Sequence, residues 1–158
     1  MSLFILNIIF AAVFSILLES GTITSFFVGF LLGYAALWLS KPLYRDTRYF
    51  RKLPKAVNLI CFFLLELVVS NLKVLWDIVT PSHINRPGII GVPLSARSDL
   101  EIFLVANLIS LTPGSLSVDL SRNRKILYVH IMFLEDPEKS RQYIKTGLER
   151  RVLEVMRS

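Results

Sequence analysis

Two apolar runs set the first constraint on this chain. Leu3 to Leu18 is apolar apart from Asn7 and Ser15, Glu19-Ser20-Gly21-Thr22 interrupts it, and Ile23 to Leu39 resumes until Lys41-Pro42 stops it. Each run is 16–17 residues, or roughly 24–26 Å as helix. That is slightly less than a hydrocarbon core of about 30 Å, a difference that local thinning or partner subunits would cover. A signal peptide does not fit, because no Lys or Arg precedes the first run and a second run follows at once. The expectation is a transmembrane helical hairpin over residues 1–40. Gly29 and Gly33, four apart in the second run, offer a small-residue face for close helix contact. Neither run holds a Lys, Arg, Asp or His. Ion paths through membranes are marked by such groups, so these helices are not expected to carry ions. Glu19 belongs in the connecting turn.

Composition places the remainder. The chain has 158 residues, 53% hydrophobic and 19% charged, with net charge +6. That is too apolar for an ordinary soluble domain and too charged for a chain wholly within lipid. Six of the 18 basic residues fall between Lys41 and Lys55, where Asp46 is the one acid. Basic charge beside a hydrophobic segment marks the cytoplasmic side. Residues 41–55 therefore read as a basic cytoplasmic loop, with Trp38, Tyr44, Tyr49 and Phe50 at headgroup level. Residues 80–158 hold 11 basic and 8 acidic residues, a nearly balanced surface. The lone cysteine, Cys61, sits in an apolar stretch and reads as a small buried hydrophobe.

Asn58 to Val79 is long enough to cross a bilayer but carries Glu66, Ser70, Lys73 and Asp77 at offsets of four, three and four. As a span it would bury Glu66 near its centre, at about 2.5–3.5 kcal/mol. As a membrane-surface helix it gathers the polar residues on one face, with Lys73 and Asp77 within pairing distance, and leaves a broad apolar face. The basic loop fixes the start of this helix on the cytoplasmic side. The amphipathic surface helix over 56–79 is the preferred reading, and a third transmembrane helix is the alternative.

Residues 80–158 read as a small α/β domain. Thr80-Pro81 ends the helix, and His83 is a lone histidine in the irregular connection that follows. Ile89 to Leu94 reads as a strand. Ser98 and Glu101 form a capping box ahead of a helix to about Ser110, whose run Ile102 to Ala106 suits burial nearly all round. Thr112-Pro113-Gly114 is a type II turn. Leu116, Val118 and Leu120 alternate with Ser117, Asp119 and Ser121 on the next strand, and Arg122-Asn123-Arg124 turns into a strand holding Leu127, Val129 and Ile131. Matching the apolar faces puts Val118 opposite Val129, Asp119 opposite Tyr128 and Ser117 opposite His130. Asp136-Pro137 opens a last helix with the stripe Ile144, Leu148, Val152 and Val155. The order β-α-β-β-α points to a ferredoxin-like α+β domain.

Asp119 and His130 on neighbouring strands form no catalytic set. No nucleophile elbow, phosphate loop or metal-ligand cluster accompanies them, so neither an enzyme nor a cofactor is expected. Tyr128 is nearly alone as an aromatic on the sheet, which argues against nucleic acid.

Several segments together resemble a known family. The run Leu111-Thr112-Pro113-Gly114-Ser115-Leu116-Ser117-Val118-Asp119-Leu120-Ser121, with Leu127-Tyr128-Val129-His130, Glu66-Leu67, Ser70-Asn71 and Arg86-Pro87-Gly88-Ile89, is similar to the E subunit of the multisubunit Mrp-type cation/proton antiporter. Ser115 stands where that motif often has Thr. The resemblance implies an accessory or assembly subunit of a bacterial or archaeal inner-membrane complex exchanging Na⁺ or K⁺ for H⁺. Its partners would be the other, polytopic subunits and the lipid bilayer, its C-terminal domain would be cytoplasmic, and the ion paths would lie in the larger subunits. Gly29, Gly33, Glu66, Asn71, Pro113, Gly114, Asp119, Tyr128 and His130 are the candidate interface or structural residues. A stand-alone membrane-anchored regulatory or binding domain is the competing reading.

Overall fold

The computed structural model describes residues 3–19, 21–44, 48–81 and 85–157. His83 lies outside them. The chain forms two compact units, residues 1–53 and 54–158.

In the first unit, α1 (Leu3–Leu17) and α2 (Ile23–Leu39) pack side by side. Their buried residues recur every four positions: Leu3, Asn7, Ala11 and Ser15 on one helix, Ser25, Gly29, Gly33 and Leu37 on the other. Glycine is required at this seam. A Cβ on Gly29 would stand 2.9 Å from the Phe14 side chain and 3.1 Å from the Ala11 backbone, and one on Gly33 would overlap the Asn7 side-chain oxygen. The Ser15 and Ser25 hydroxyls bond at 2.8 Å, and Asn7 donates to the Tyr49 hydroxyl at 2.7 Å. Thr22 caps α2, and Glu19 and Gly21 make the connecting turn with positive φ. Glu19 thus lies outside both helices.

The third helix, α3, runs Arg48–Val79. It starts within the stretch expected to be a loop and carries Pro54 in its second turn. Tyr49 and Phe50 explain the early start. Their rings pack with Tyr34 at centroid distances of 5.6–5.8 Å and with each other at 5.3 Å, burying Phe50. That packing offsets the backbone bond that proline forgoes.

In the second unit, β1 (Gly88–Pro93), β2 (Ser115–Leu120) and β3 (Ile126–Ile131) form an antiparallel sheet in the order β1-β3-β2. Helix α4 (Asp99–Leu111) crosses from β1 to β2. Helices α5 (Pro137–Ile144) and α6 (Arg150–Met156) are joined by a π-helical stretch, Lys145–Glu149. Ile90, Val92, Leu127 and Val129 of the sheet meet Val105 and Ile109 of α4 and Ile144, Leu148 and Val152 of the last helices in one core. Leu59, Phe62 and Phe63 of α3 pack on the same core. The capping box at Ser98 and Glu101, the Asp136 cap and the Pro113-Gly114 turn all form as the sequence predicts.

Three expectations need correction. The register of β2 is the first. Ser117, not Val118, lies opposite Val129, Leu116 lies opposite His130, and a bulge at Val118 restores Asp119 opposite Tyr128. Leu116 and Val118 face outward, 53% and 52% exposed. The strand is tied to the last turns of α4 through hydroxyl groups. The Ser115 hydroxyl donates to the Ile109 carbonyl at 2.7 Å, the Ser117 hydroxyl to Ala106 at 2.9 Å, and the Thr112 hydroxyl to Leu108 at 3.0 Å. These bonds hold Ser115 and Ser117 toward α4 and so turn Leu116 outward. The second correction is α4 itself. It buries Ile102, Val105 and Ile109 but leaves Leu100, Phe103 and Leu111 exposed, because the core covers only one of its faces. The third is Cys61, which is exposed, since it points away from the domain.

Candidate functional site

The polar line of α3 is the seam along which the helix meets the α/β domain. Asn58 accepts from Arg151 Nε at 3.1 Å. The Arg151 guanidinium lies 3.8 Å from the centre of the Phe62 ring, and Phe62 abuts Gly147. Tyr143 donates its hydroxyl to Glu66. Lys73 sits 5.1 Å from the centre of the Phe133 ring. Asp77, 2% exposed, accepts from the Asn85 amide at 3.1 Å. From Asn58 to Asp77 is nineteen residue steps, about 28 Å of helix.

The opposite face of α3 is apolar and exposed. Val57, Ile60, Leu64, Val68, Leu72, Leu75, Trp76 and Val79 line it. By length and composition α3 passes as a membrane span, whereas α1 and α2 are shorter apolar helices. Its other face touches the α/β domain at separate points, through Asn58, Phe62, Glu66 and Lys73.

Between α3 and the domain lies a cleft of about 660 Å³. Glu66, Ser70 and Lys73 form one wall, the Thr112–Ser115 turn another, and Phe133, Asp136, Lys139 and Tyr143 line the far side. Ile109, Ile131, Ile144 and Leu148 contribute apolar lining. The Tyr143 hydroxyl pKa is pushed up to about 12 by partial burial, by the bond to Glu66 and by that group's charge. The residue as a whole is 53% exposed.

The cleft gathers Glu66, Pro113 and Gly114 of the sequence-derived candidates. Asn71 does not join them: it is exposed and donates back to the Leu67 carbonyl of its own helix at 2.7 Å. Gly29 and Gly33 belong to the α1–α2 seam. Asp119, Tyr128 and His130 lie on the outer face of the sheet, away from its helices. Asp119 bonds its neighbouring Leu120 amide at 2.7 Å. His130 stands between Ile89 and Leu116 in the ladder. With Ile89, Leu116, Val118 and Tyr128 exposed, this outer face is an apolar patch with polar edges. No group of three or more His, Cys, Asp or Glu suited to a metal occurs among the described residues.

Sequence reading missed a pair of carboxylates that lock the β1–α4 connection. Glu149, 1% exposed, accepts from the Ser95 amide and, at 3.0 Å, from the Ala96 amide, with Lys145 at 3.6 Å. Glu101 accepts from Arg157 at 2.8 and 3.0 Å and from the Arg97 and Ser98 amides. The Arg157 bonds chiefly, then the Arg97 amide, hold the Glu101 pKa down at about 2, against the opposing effect of burial. The one local signal was Glu101 itself, read as half of a capping box.

A two-faced helix, an apolar helix pair and an exposed sheet face define a membrane-associated α+β protein with surfaces suited to other chains. Comparison with known proteins gives the family. A family model described as Na⁺/H⁺ ion antiporter subunit matches residues 7–155. The E subunit of the Na⁺/H⁺ antiporter of Alkalihalophilus pseudofirmus is 34% identical over 151 residues, covering 96% of each chain. That of Bacillus subtilis is 33% identical over 153 residues, covering 97% of each. The chain belongs to the family of Na⁺/H⁺ antiporter E subunits. Among solved structures, a chain of the Mrp complex from Dietzia sp. DQ12-45-1b matches with a TM-score of 0.52 and 27% identity, over 63% of this chain and 93% of that one. A chain of the archaeal membrane-bound sulfane sulfur reductase matches with a TM-score of 0.57 over 92% and 96%, and at 18% identity it shares the fold.

Proposed function

We propose that this chain is an accessory subunit of a multisubunit Na⁺/H⁺ antiporter of the Mrp type, non-catalytic and needed for assembly. Family membership over residues 7–155 carries the antiporter reading. In this reading α1 and α2 form a transmembrane hairpin whose outer surface meets lipid and the polytopic subunits. Exposed Phe4, Ile8, Phe27, Leu31 and Leu32 support this. Helix α3 lies on the cytoplasmic surface with its apolar face in the lipid. The α/β domain is cytoplasmic, and its strand order and α4 crossover support a ferredoxin-like arrangement. Its outer sheet face, with Leu116, Tyr128, Asp119 and His130, docks a neighbouring subunit. Ions pass through other subunits, because neither α1 nor α2 carries a Lys, Arg, Asp or His.

The test is deletion of this subunit in its host, followed by Na⁺-driven proton exchange in inverted vesicles and affinity purification of the remaining subunits. Loss of exchange together with loss of the assembled complex is the expected result. Undiminished exchange, with the chain purified as a stable monomer, would instead favour a free-standing regulatory domain. Asp119→Ala is expected to lower the yield of complex more than it lowers the chain's own melting temperature. Normal complex yield would remove Asp119 from the interface.

A further inference from the structure

We propose that the cleft between α3 and the α/β domain seats the headgroup of an aminophospholipid drawn from the bilayer. This rests on the reading that α3 lies on the membrane. Val69 lines the cleft and is also 59% exposed on the border of the apolar face of α3. The mouth of the cleft is therefore continuous with the surface that meets lipid. A molecule whose chains lie in the bilayer can turn its headgroup into the cleft without leaving the membrane.

The lining carries both signs of charge. Lys73 and Lys139 are the cations, and Glu66, Glu135 and Asp136 the carboxylates; Asp136 also caps α5 and lies 3.8 Å from Lys139, and Glu66 also accepts the Tyr143 hydroxyl. A phosphate takes charge-assisted bonds from the lysines, and a primary ammonium donates N–H to the carboxylates. A phosphodiester bearing a protonated amine satisfies both. An anionic headgroup without an amine satisfies the lysines but leaves Glu66 and Glu135 without a cation. A trimethylated amine has no N–H to donate. The pairing of opposite signs in one cleft therefore selects an ethanolamine-type zwitterion over glycerol and choline headgroups.

Trp76 stands seven residues from Val69, at the same border of the apolar face of α3, and supplies the readout. The full chain carrying Trp38→Phe, which leaves Trp76 as the one tryptophan, is reconstituted into phosphatidylcholine vesicles. These contain equal small fractions of phosphatidylethanolamine, phosphatidylcholine or phosphatidylglycerol brominated high on the acyl chain. Brominated phosphatidylethanolamine is expected to quench about twofold more than brominated phosphatidylcholine, an enrichment of the size a few charge-assisted bonds produce. The excess is expected to vanish in Lys139→Ala/Glu135→Gln, two exposed positions whose replacement leaves the core intact. Equal quenching by ethanolamine and choline lipids overturns the headgroup site while leaving α3 on the membrane. Preference for phosphatidylglycerol overturns the zwitterion assignment, and an excess untouched by the double variant overturns the cleft as its seat. Absence of quenching by every brominated lipid overturns the membrane placement of α3, and this proposal with it.

Discussion

Replacing Phe62 by Ala tests which face of α3 holds the α/β domain. Phe62 is half-buried, touches Gly147 and lies beneath the Arg151 guanidinium at 3.8 Å. Truncating a fully buried Phe costs about 3–5 kcal/mol, so a half-buried one loses roughly 1.5–2 kcal/mol. Loss of the stacked guanidinium adds about 0.5–1 kcal/mol. The sum is about 2–3 kcal/mol, or roughly 10 °C in melting temperature for a unit of this size. Leu64, 53% exposed on the opposite face, is the control. In detergent, Leu64→Ala is expected to cost less than about 0.5 kcal/mol. Both are read by thermal unfolding of the full chain, followed by tryptophan emission. A fall of under two degrees for Phe62→Ala, or an equal fall for Leu64→Ala, would refute the assignment of faces.

Two further perturbations follow from the geometry. Gly33→Ala forces a methyl into the Asn7 side chain at the α1–α2 seam. It is expected to cost about 1–2 kcal/mol, overpacking outweighing the gain in helix propensity, and to reduce disulfide cross-linking between cysteines placed on the two helices. An unchanged cross-linking yield would count against this seam. Glu101, with its pKa held at about 2 against an ordinary 4.5, contributes stability that is complete above about pH 4.5 and lost as the pH falls toward 2. The gap in melting temperature between the parent chain and Glu101→Gln is therefore expected to be steady from neutral pH to about 5 and to narrow below it. A gap that widened on acidification would contradict the Arg157 pairing.

Much of the architecture was legible in the residues. The apolar runs, the cap signals at Ser98 and Asp136, and the Pro113-Gly114 turn each act within a few residues, so local pattern suffices to place them. The family resemblance was legible for the same reason, since its longest motif is the α4–β2 connection. The register of β2 was not. Alternation of apolar and polar residues assumes that polar side chains face water, and Ser115 and Ser117 instead bond backbone carbonyls of α4. Hydroxyls recurring just after a helix end were the available signal. The start of α3 was hidden because Pro54 reads as a break, while the packing of Tyr49 and Phe50 on Tyr34 is a contact between distant parts of the sequence. The cleft and the Glu149 lock join residues up to 77 and 54 positions apart, as in Glu66–Tyr143 and Ser95–Glu149. No local pattern reports such pairs.

The central claim is that α3 lies along the membrane and does not cross it. Single cysteines at Lys41, before α3, and at Arg122, in the exposed β2–β3 turn, are introduced with Cys61→Ala. They are then probed with a membrane-impermeant thiol reagent in intact cells and in inverted vesicles. Labelling of both positions in inverted vesicles and of neither in intact cells is the result this account predicts. Labelling of Arg122→Cys in intact cells, with Lys41→Cys labelled only in inverted vesicles, would place α3 across the bilayer and contradict it.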